Sequence, residues 1–228
     1  MHPSGEAELA TTLRSVCRRS QVPSRPLLAL GVVEQLAELR ALRGVPQDPT
    51  RHPEGDVLVH SLGAADAAAR MAAERGLPAS QTETLVLASL FHDVGKPATT
   101  TIMRGKITSH GHAGAGATIV TKLGNRHHWP PSLTSAVSVL VDTHMAHVSV
   151  EGTPSRRAVA RLVAKLTAGG CSLEDWAIVV KADVQSRGLS VQRDPAEPWI
   201  AVGGDLSNWP KPIAPRHTPD QLSGEQPI

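Results

Sequence analysis

The chain has no tyrosine and a single phenylalanine, Phe91, so four tryptophans (Trp129, Trp176, Trp199, Trp209) supply the rest of its aromatic surface. Packing therefore falls to alanine, leucine and valine, and small apolar side chains favour closely approaching helices. Only two cysteines occur, Cys17 and Cys171. They are isolated and match neither zinc nor redox spacing, which suits two structural thiols in a reducing compartment. No apolar run approaches the ~18 residues that a membrane-crossing helix needs, and the N-terminus carries no apolar signal-like stretch. An excess of one charge sign is missing too: Lys+Arg 23 stand against Asp+Glu 21, a net +2. This removes the global electrostatic case for duplex nucleic acid or an anionic membrane, though local basic patches remain open. A soluble, cytoplasmic protein is expected. Its 228 residues suit one domain with an appended tail.

Helical patterning runs over residues 6–19 and 26–43. In the second stretch Leu27, Leu30, Val33, Leu36 and Leu39 recur at spacings of three, Pro26 suits a first helical position and Gly44 a stop. Residues 45–56, VPQDPTRHPEGD, hold three prolines and a glycine and predict an irregular, functional loop. Helical pattern returns from Val57 to Arg75 and closes at Gly76, and Ser80 or Thr82 can cap the next helix into His92. Residues 97–110 flank an Arg-Gly pair with β-branched residues and suit a short hairpin or lid. Further helices are expected over 112–123, 132–147, 155–167 and 172–187. The first of these, HAGAGATIVTKL, is rich enough in glycine to let another backbone or an ion come close. Residues 190–228 turn proline-rich and read as a linker or tail. The class is all-α, with seven or eight helices.

The centre of this pattern is Leu90-Phe91-His92-Asp93-Val94-Gly95-Lys96-Pro97. An apolar run carries His92 and Asp93 to the point where Gly95 and Pro97 end a helix. Neighbours on a helix diverge by about 100°, so these two side chains share an ion only with ligands from other helices. His60 lies on an apolar stretch, His112 opens the glycine-rich helix, and His144 and His147 lie near the end of 132–147. Asp183 sits in the apolar run of the last helix. A buried carboxylate there is costly unless paired or metal-bound. One such histidine reads as a hydrogen-bonded core residue; five positions together favour a metal site.

In order, His60, His92-Asp93 and Asp183 resemble the H…HD…D pattern of the HD superfamily of metal-dependent phosphohydrolases. More narrowly, GVPQDPTRHPEGDVLVHSL, FHDVGK, HGHAGAG, TPSRRAVARL, KADVQSRG and GGDL at 203–206 resemble, over roughly residues 30–215, the HD domain of bacterial CCA-adding tRNA nucleotidyltransferases. The nucleotidyltransferase signature, Gly-Ser followed by paired carboxylates, does not occur ahead of this region, so the chain is expected not to add CCA. The resemblance implies an HD-domain helical bundle over 26–190, an N-terminal helical extension over 1–25, and an irregular proline-rich tail over 191–228. It also implies that His60, His92, Asp93 and Asp183 bind a divalent cation. His112 and His144 match positions that hold a second metal or the phosphate, with His110 and His147 as neighbours able to replace them. Imidazole with carboxylate suits Mn, Fe, Co, Ni or Zn, and Mg stays open.

Such a site activates water for in-line attack on phosphorus. Asp93 and Lys96 are then the catalytic pair, and Lys96, Arg187, Arg51 and His110 the substrate-binding residues. As helix-end cations Lys96 and Arg187 are equally ordinary, and Arg51-His52-Pro53-Glu54 suits either a substrate mouth or an exposed turn. Arg126-His127-His128-Trp129 offers a surface for base stacking. Arg157, Arg161 and Lys165 form a basic stripe of the kind common on solvated faces. The leading expectation is a phosphohydrolase acting on a nucleotide-like phosphomonoester or a 2′,3′-cyclic phosphodiester. The alternatives are a di-iron oxygenase using all six ligands, or a non-catalytic RNA-end-binding module. The partner is a nucleotide or other phosphorylated small molecule, with RNA less expected. The oligomeric state is open, because the N-terminal amphipathic helix suits this core or a second copy.

Overall fold

The computed structural model describes residues 3–150, 152–188 and 194–206. Within them the regular structure is helical apart from one small hairpin. The first helix, α1 (Pro3–Arg19), lies on α6 (Ala79–Phe91), and the buried Glu83 of α6 receives Arg14 of α1 at 2.6 Å. Where one helix was expected over 26–43, three short ones occur: α2 (Ser24–Ala29), α3 (Val32–Gln35) and α4 (Ala37–Arg40). Gly31 adopts φ +69° and Leu36 turns extended with ψ 110°, so the chain changes direction twice. The apolar spacing still identifies the core, since Leu27, Val33, Leu36 and Leu39 are buried; Leu30, beside the first break, is 56% exposed.

α5 (Val57–Glu74) is the central element. Asp56 caps it by accepting from the Val59 amide at 3.0 Å, and it packs against both α6 and α11 (Leu173–Ser186). Its buried alanines, among them Ala64, Ala65, Ala68 and Ala72, keep those axes close. At Gly63 an added Cβ would stand 3.3 Å from that of Ser186, so the end of α11 is brought against the start of α5. α6 starts at Ala79 after Pro78 without the expected Ser80 or Thr82 cap, and from Leu85 to Phe91 it is entirely buried.

After His92 the chain makes a turn and enters α7 (Lys96–Thr99), then the antiparallel pair β1 (Thr101–Met103) and β2 (Lys106–Thr108). This is the expected hairpin, with Arg104 and Gly105 both at positive φ in its turn. α8 (His112–Arg126) packs along α9 (Pro131–Thr143), and its glycines permit the approach: a Cβ at Gly116 would meet Val141 at 3.0 Å. Residues 144–147, expected to continue α9, instead belong to a 3-10 helix over His144–Ser149. Trp176 of α11 donates its indole N–H to the Thr143 carbonyl at 2.9 Å, fixing the point at which α9 ends.

α10 (Arg156–Ala168) begins at Ser155, which accepts from the Ala158 amide, and α11 begins with a reciprocal Ser172–Asp175 capping box. α12 (Glu197–Leu206) replaces part of the irregular tail expected from residue 191, and Ala196 and Trp199 at its start are buried. Residues 207–228, with Trp209, lie outside the described residues. Cys17 and Cys171 are both buried and free. Burial pushes both thiols up, Cys171 to about 12, so neither is a reactive thiolate.

Candidate metal centre

Four histidines and two aspartates from different segments converge at one point. His60 comes from the first turn of α5, His92 and Asp93 from the turn after α6, and His112 from the start of α8. His144 comes from the end of α9 and Asp183 from α11. All six are buried. Three of the rings are anchored alike: the Nδ1 atoms of His92, His112 and His144 donate to the carbonyls of Ser89, Ser109 and Val141, each three residues earlier, at 2.7, 2.7 and 2.6 Å. A carbonyl only accepts, so in each neutral ring the proton sits on Nδ1 and Nε2 presents a lone pair.

These lone pairs point at one another. His60 and His92 bring their Nε2 atoms to 3.1 Å, and His112 and His144 do the same at 3.1 Å. Asp93 stands between the two pairs. Its Oδ2 lies 3.1 Å from His92 Nε2 and 3.6 Å from His60 Nε2; its Oδ1 lies 3.3 Å from His112 Nε2 and 3.9 Å from His144 Nε2. Asp183 Oδ1 completes the first set, 3.1 Å from His60 Nε2 and 3.9 Å from His92 Nε2.

Two neutral imidazole lone pairs at such a distance repel unless a cation lies between them. Ligand atoms ~2.1 Å from an ion and roughly at right angles are about 3 Å apart, which matches both spacings. The donor set is therefore one that a divalent ion fits, on two sides of one carboxylate. A proton is the other way to relieve the contact, and the His92 pKa reflects it: burial opposes charge there, but Asp93 and Asp183 outweigh burial and raise the pKa. His144 goes the other way, pushed down to about 3 by burial and then by His92. Burial also lowers His112. Asp93 and Asp183 stay well below the usual carboxylate range: burial disfavours their charge, but His92 and Lys96 hold Asp93 ionised, as His60, His92 and Arg187 hold Asp183.

The cluster forms the floor of a cleft of about 710 Å³. Lys96 reaches Asp93 Oδ2 at 2.6 Å and Gln47 Oε1 at 2.7 Å, and Arg187 reaches Asp183 Oδ1 at 2.8 Å. Arg51 lines one wall on the 45–56 loop; Lys106 and His110 line another beside the hairpin, and Met145 and His147 face the cleft from the 3-10 helix. Arg51, Lys96, His110 and Arg187 thus share one cleft with Asp93, His112, His144 and Asp183 of the converging set. His147 does not replace His144: its Nδ1 donates to the His144 carbonyl at 3.0 Å.

The stacking surface expected at Arg126–Trp129 does not form. Trp129 is 4% exposed and packs on Phe91, while Arg126 pairs with Glu38 at 2.7 Å. Arg157 and Arg161 are exposed and lie away from the cleft lining. Sequence reasoning did not single out Gln47, Ser186 or the inward role of Glu54. Glu54 Oε1 lies 2.6 Å from His60 Nδ1 and 3.0 Å from His52 Nδ1, and Ser186 Oγ lies 2.9 Å from the same His60 nitrogen. A signal for Glu54 existed in its place six residues before His60, in a loop pinned by the cap of α5.

An all-helical bundle that gathers histidines and aspartates from five segments under a basic cleft defines a class of helical proteins built around a metal-binding floor. The HD domain family model matches residues 57–175, more than half of the chain, and the chain belongs to that family. Relatives include the Multifunctional CCA protein of Teredinibacter turnerae, 37% identical over 91 residues, covering 40% of this chain and 20% of that protein. The Multifunctional CCA protein of Halorhodospira halophila is 37% identical over 121 residues, 52% of this chain and 26% of that protein. The chain thus spans about a quarter or less of the length of these curated relatives. Among the described residues no helix is long and apolar enough to cross a membrane.

Proposed function

We propose that the chain is a divalent-metal-dependent phosphohydrolase that removes phosphate from a nucleotide-like phosphomonoester or opens a 2′,3′-cyclic phosphodiester. The observation that carries this reading is the facing of imidazole Nε2 atoms at 3.1 Å on either side of Asp93, at the floor of a cation-lined cleft. His60, His92, Asp93 and Asp183 would hold the ion, and Asp93 with His112 and His144 a second ion or the substrate phosphate. A divalent cation bound there supplies Lewis acidity towards a phosphoryl oxygen and a water of lowered pKa. Mn, Fe, Co, Ni or Zn suit this donor set, and Mg stays open.

The chain's own side chains do the rest. Lys96 and Arg187 are fixed charges, each held on a carboxylate, and neutralise phosphoryl oxygens without first being ordered. Asp93 Oδ1, 3.3 Å from His112 Nε2, is the oxygen that Lys96 leaves free, to hold the second ion or to orient the attacking water. Arg51 and His110 sit further up the walls and hold the remainder of the substrate.

The test is inorganic phosphate release from 2′-, 3′- and 5′-nucleotides and 2′,3′-cyclic nucleotides, the last with a coupled phosphatase, with Mn, Co, Ni and Mg in turn. Release is expected to need a metal and to fall at least 1,000-fold (about 4 kcal/mol of barrier) in Asp93→Ala. No release with any metal would sink the reading for these substrates. The presence of all six side chains in the cluster also favours a second reading, an HD-type di-iron oxygenase, which tightly held iron at two per chain would support. A non-catalytic RNA-end-binding module would instead lose RNA binding in Arg157→Ala/Arg161→Ala, with the metal cluster playing no part.

A further inference from the structure

His60 is the exception among the four converging rings. Its Nδ1 meets a carboxylate, Glu54 Oε1 at 2.6 Å, and the Ser186 hydroxyl at 2.9 Å, where the other three meet backbone carbonyls. Ser186 already donates its own proton to the Asp183 carbonyl at 2.6 Å, so towards His60 it only accepts. Both partners of Nδ1 are therefore acceptors, the proton sits on Nδ1, and Nε2 turns its lone pair towards Asp183 and His92.

The charges single out Glu54 as well. Asp93 is paired with Lys96 and Asp183 with Arg187, but among the described residues no lysine or arginine pairs with Glu54. Its side chain is only 11% exposed, and its second oxygen, Oε2, is buried with no hydrogen-bond partner. A nearly buried carboxylate that faces only imidazoles lacks its countercharge. On the far side of the His60 ring Nε2 faces Asp183 and His92, a place where a cation fits. Glu54 is also held firmly in place: the next residue, Gly55, takes φ +131°, and the one after, Asp56, both caps α5 and accepts from the Gly44 amide at 2.6 Å.

We infer that Glu54 is a positioning residue that acts through His60, fixing its tautomer and strengthening Nε2 as a donor, so that the His60/His92/Asp93/Asp183 side binds a divalent transition ion more tightly than the Asp93/His112/His144 side. A carboxylate behind a ligating imidazole raises its basicity and fixes its orientation. The inference rests on the metal-centre reading above, and its test reads metal binding apart from catalysis.

The full chain, stripped with chelator, is titrated with Mn²⁺ by calorimetry, and its Co²⁺ complex is followed by visible absorption. Glu54→Ala is expected to weaken the tighter ion about 10- to 100-fold and to shift the Co²⁺ bands. Glu54→Gln, whose amide oxygen still accepts the Nδ1 proton, recovers most of the affinity. Asp66→Ala is the control, since it removes a carboxylate of α5 that serves Ser24 and no residue of the cluster; it leaves both readouts unchanged. Unchanged Mn²⁺ affinity and Co²⁺ spectrum in Glu54→Ala would overturn the inference, as would an equal loss in Asp66→Ala. Should Glu54→Ala fail to fold, Glu54→Leu, which fills the same space without an acceptor, decides: weakened Mn²⁺ binding supports the role and wild-type affinity refutes it. Glu54-dependent Mn²⁺ binding without phosphate release would defeat the hydrolase reading alone, whereas no metal uptake by the wild type would defeat both.

Discussion

Gly95→Ala offers a way to separate the two sides of the cluster, because the backbone at Gly95 lies against the start of α8. A Cβ added there would stand 2.1 Å from the His112 carbonyl oxygen and 2.7 Å from the Gly116 amide nitrogen, where real Cβ atoms keep at least 3.0 Å. Both obstacles are backbone, so no rotamer relieves them, and the N-terminus of α8 must retreat by about 0.9 Å or more. His112 rides on that terminus, with its Nε2 3.3 Å from Asp93 Oδ1 and 3.1 Å from His144 Nε2. Ligand distances at a metal hold to within ~0.2 Å, so a shift of this size removes His112 from the cluster. His60 and Asp183 belong to α5 and α11 and do not ride on α8. The expected result is that Mn²⁺ uptake measured by calorimetry falls from two ions to one. Stability in urea should drop by about 1–3 kcal/mol, the usual range for overpacking. Gly114→Ala, on the same helix, meets only Asp142 Oδ1 at 3.7 Å and should be neutral or stabilise by up to about 1 kcal/mol. Two ions bound by Gly95→Ala at wild-type affinity, with unchanged urea stability, would refute the coupling of Gly95 to His112.

Two further outcomes are expected of the metal-stripped protein. Five histidines, His52, His112, His127, His144 and His147, have lowered pKa values against one raised, His92. The unfolded chain therefore takes up more protons below about pH 6.5, and stability should fall as pH drops from 6.5 towards the His144 value of about 3. A melting temperature that is level or rising between pH 7 and pH 5 would contradict this sign. Arg14→Ala leaves Glu83, 3% exposed, with Arg18 at 3.9 Å as its remaining partner, so α1 should loosen at a cost of about 2 kcal/mol. Amide exchange over residues 6–19 no faster than in the wild type would count against that pairing as the anchor of α1.

The fold was legible where residue type decides local conformation. Asp56, Ser155 and Ser172 start helices as caps, Gly76 and Gly111 take positive φ at helix borders, and the Arg104-Gly105 pair turns the hairpin. It was illegible where packing decides. The leucine spacing over 26–43 suits one helix, yet three short pieces bury nearly the same leucines by wrapping the bundle, and spacing alone does not distinguish a straight rod from a bent one. The 3-10 helix at 144–149 is set by Trp176 reaching the Thr143 carbonyl from thirty-three residues away.

The same division runs through the site. His60, His92, Asp93, His112, His144 and Asp183 could be gathered from sequence because ionisable groups on apolar helices are costly and so call for a common partner. The residues behind them could not, since Glu54, Ser186 and Gln47 lie in polar or ordinary surroundings and gain meaning only from proximity. Their contribution is geometric. Lys96 is pinned between Asp93 and Gln47, Arg187 lies on Asp183, and His60 is backed by Glu54 and Ser186. With three carboxylates, two fixed cations and the four rings neutral, as ligation requires, these side chains sum to about one negative charge, and a single divalent ion would leave about one positive. That sign suits a phosphate ester at the mouth. Glu54, which lacks a cationic partner, lowers that charge from about two positive to about one, so the residue least visible in the sequence helps to set the charge on which the proposed chemistry depends.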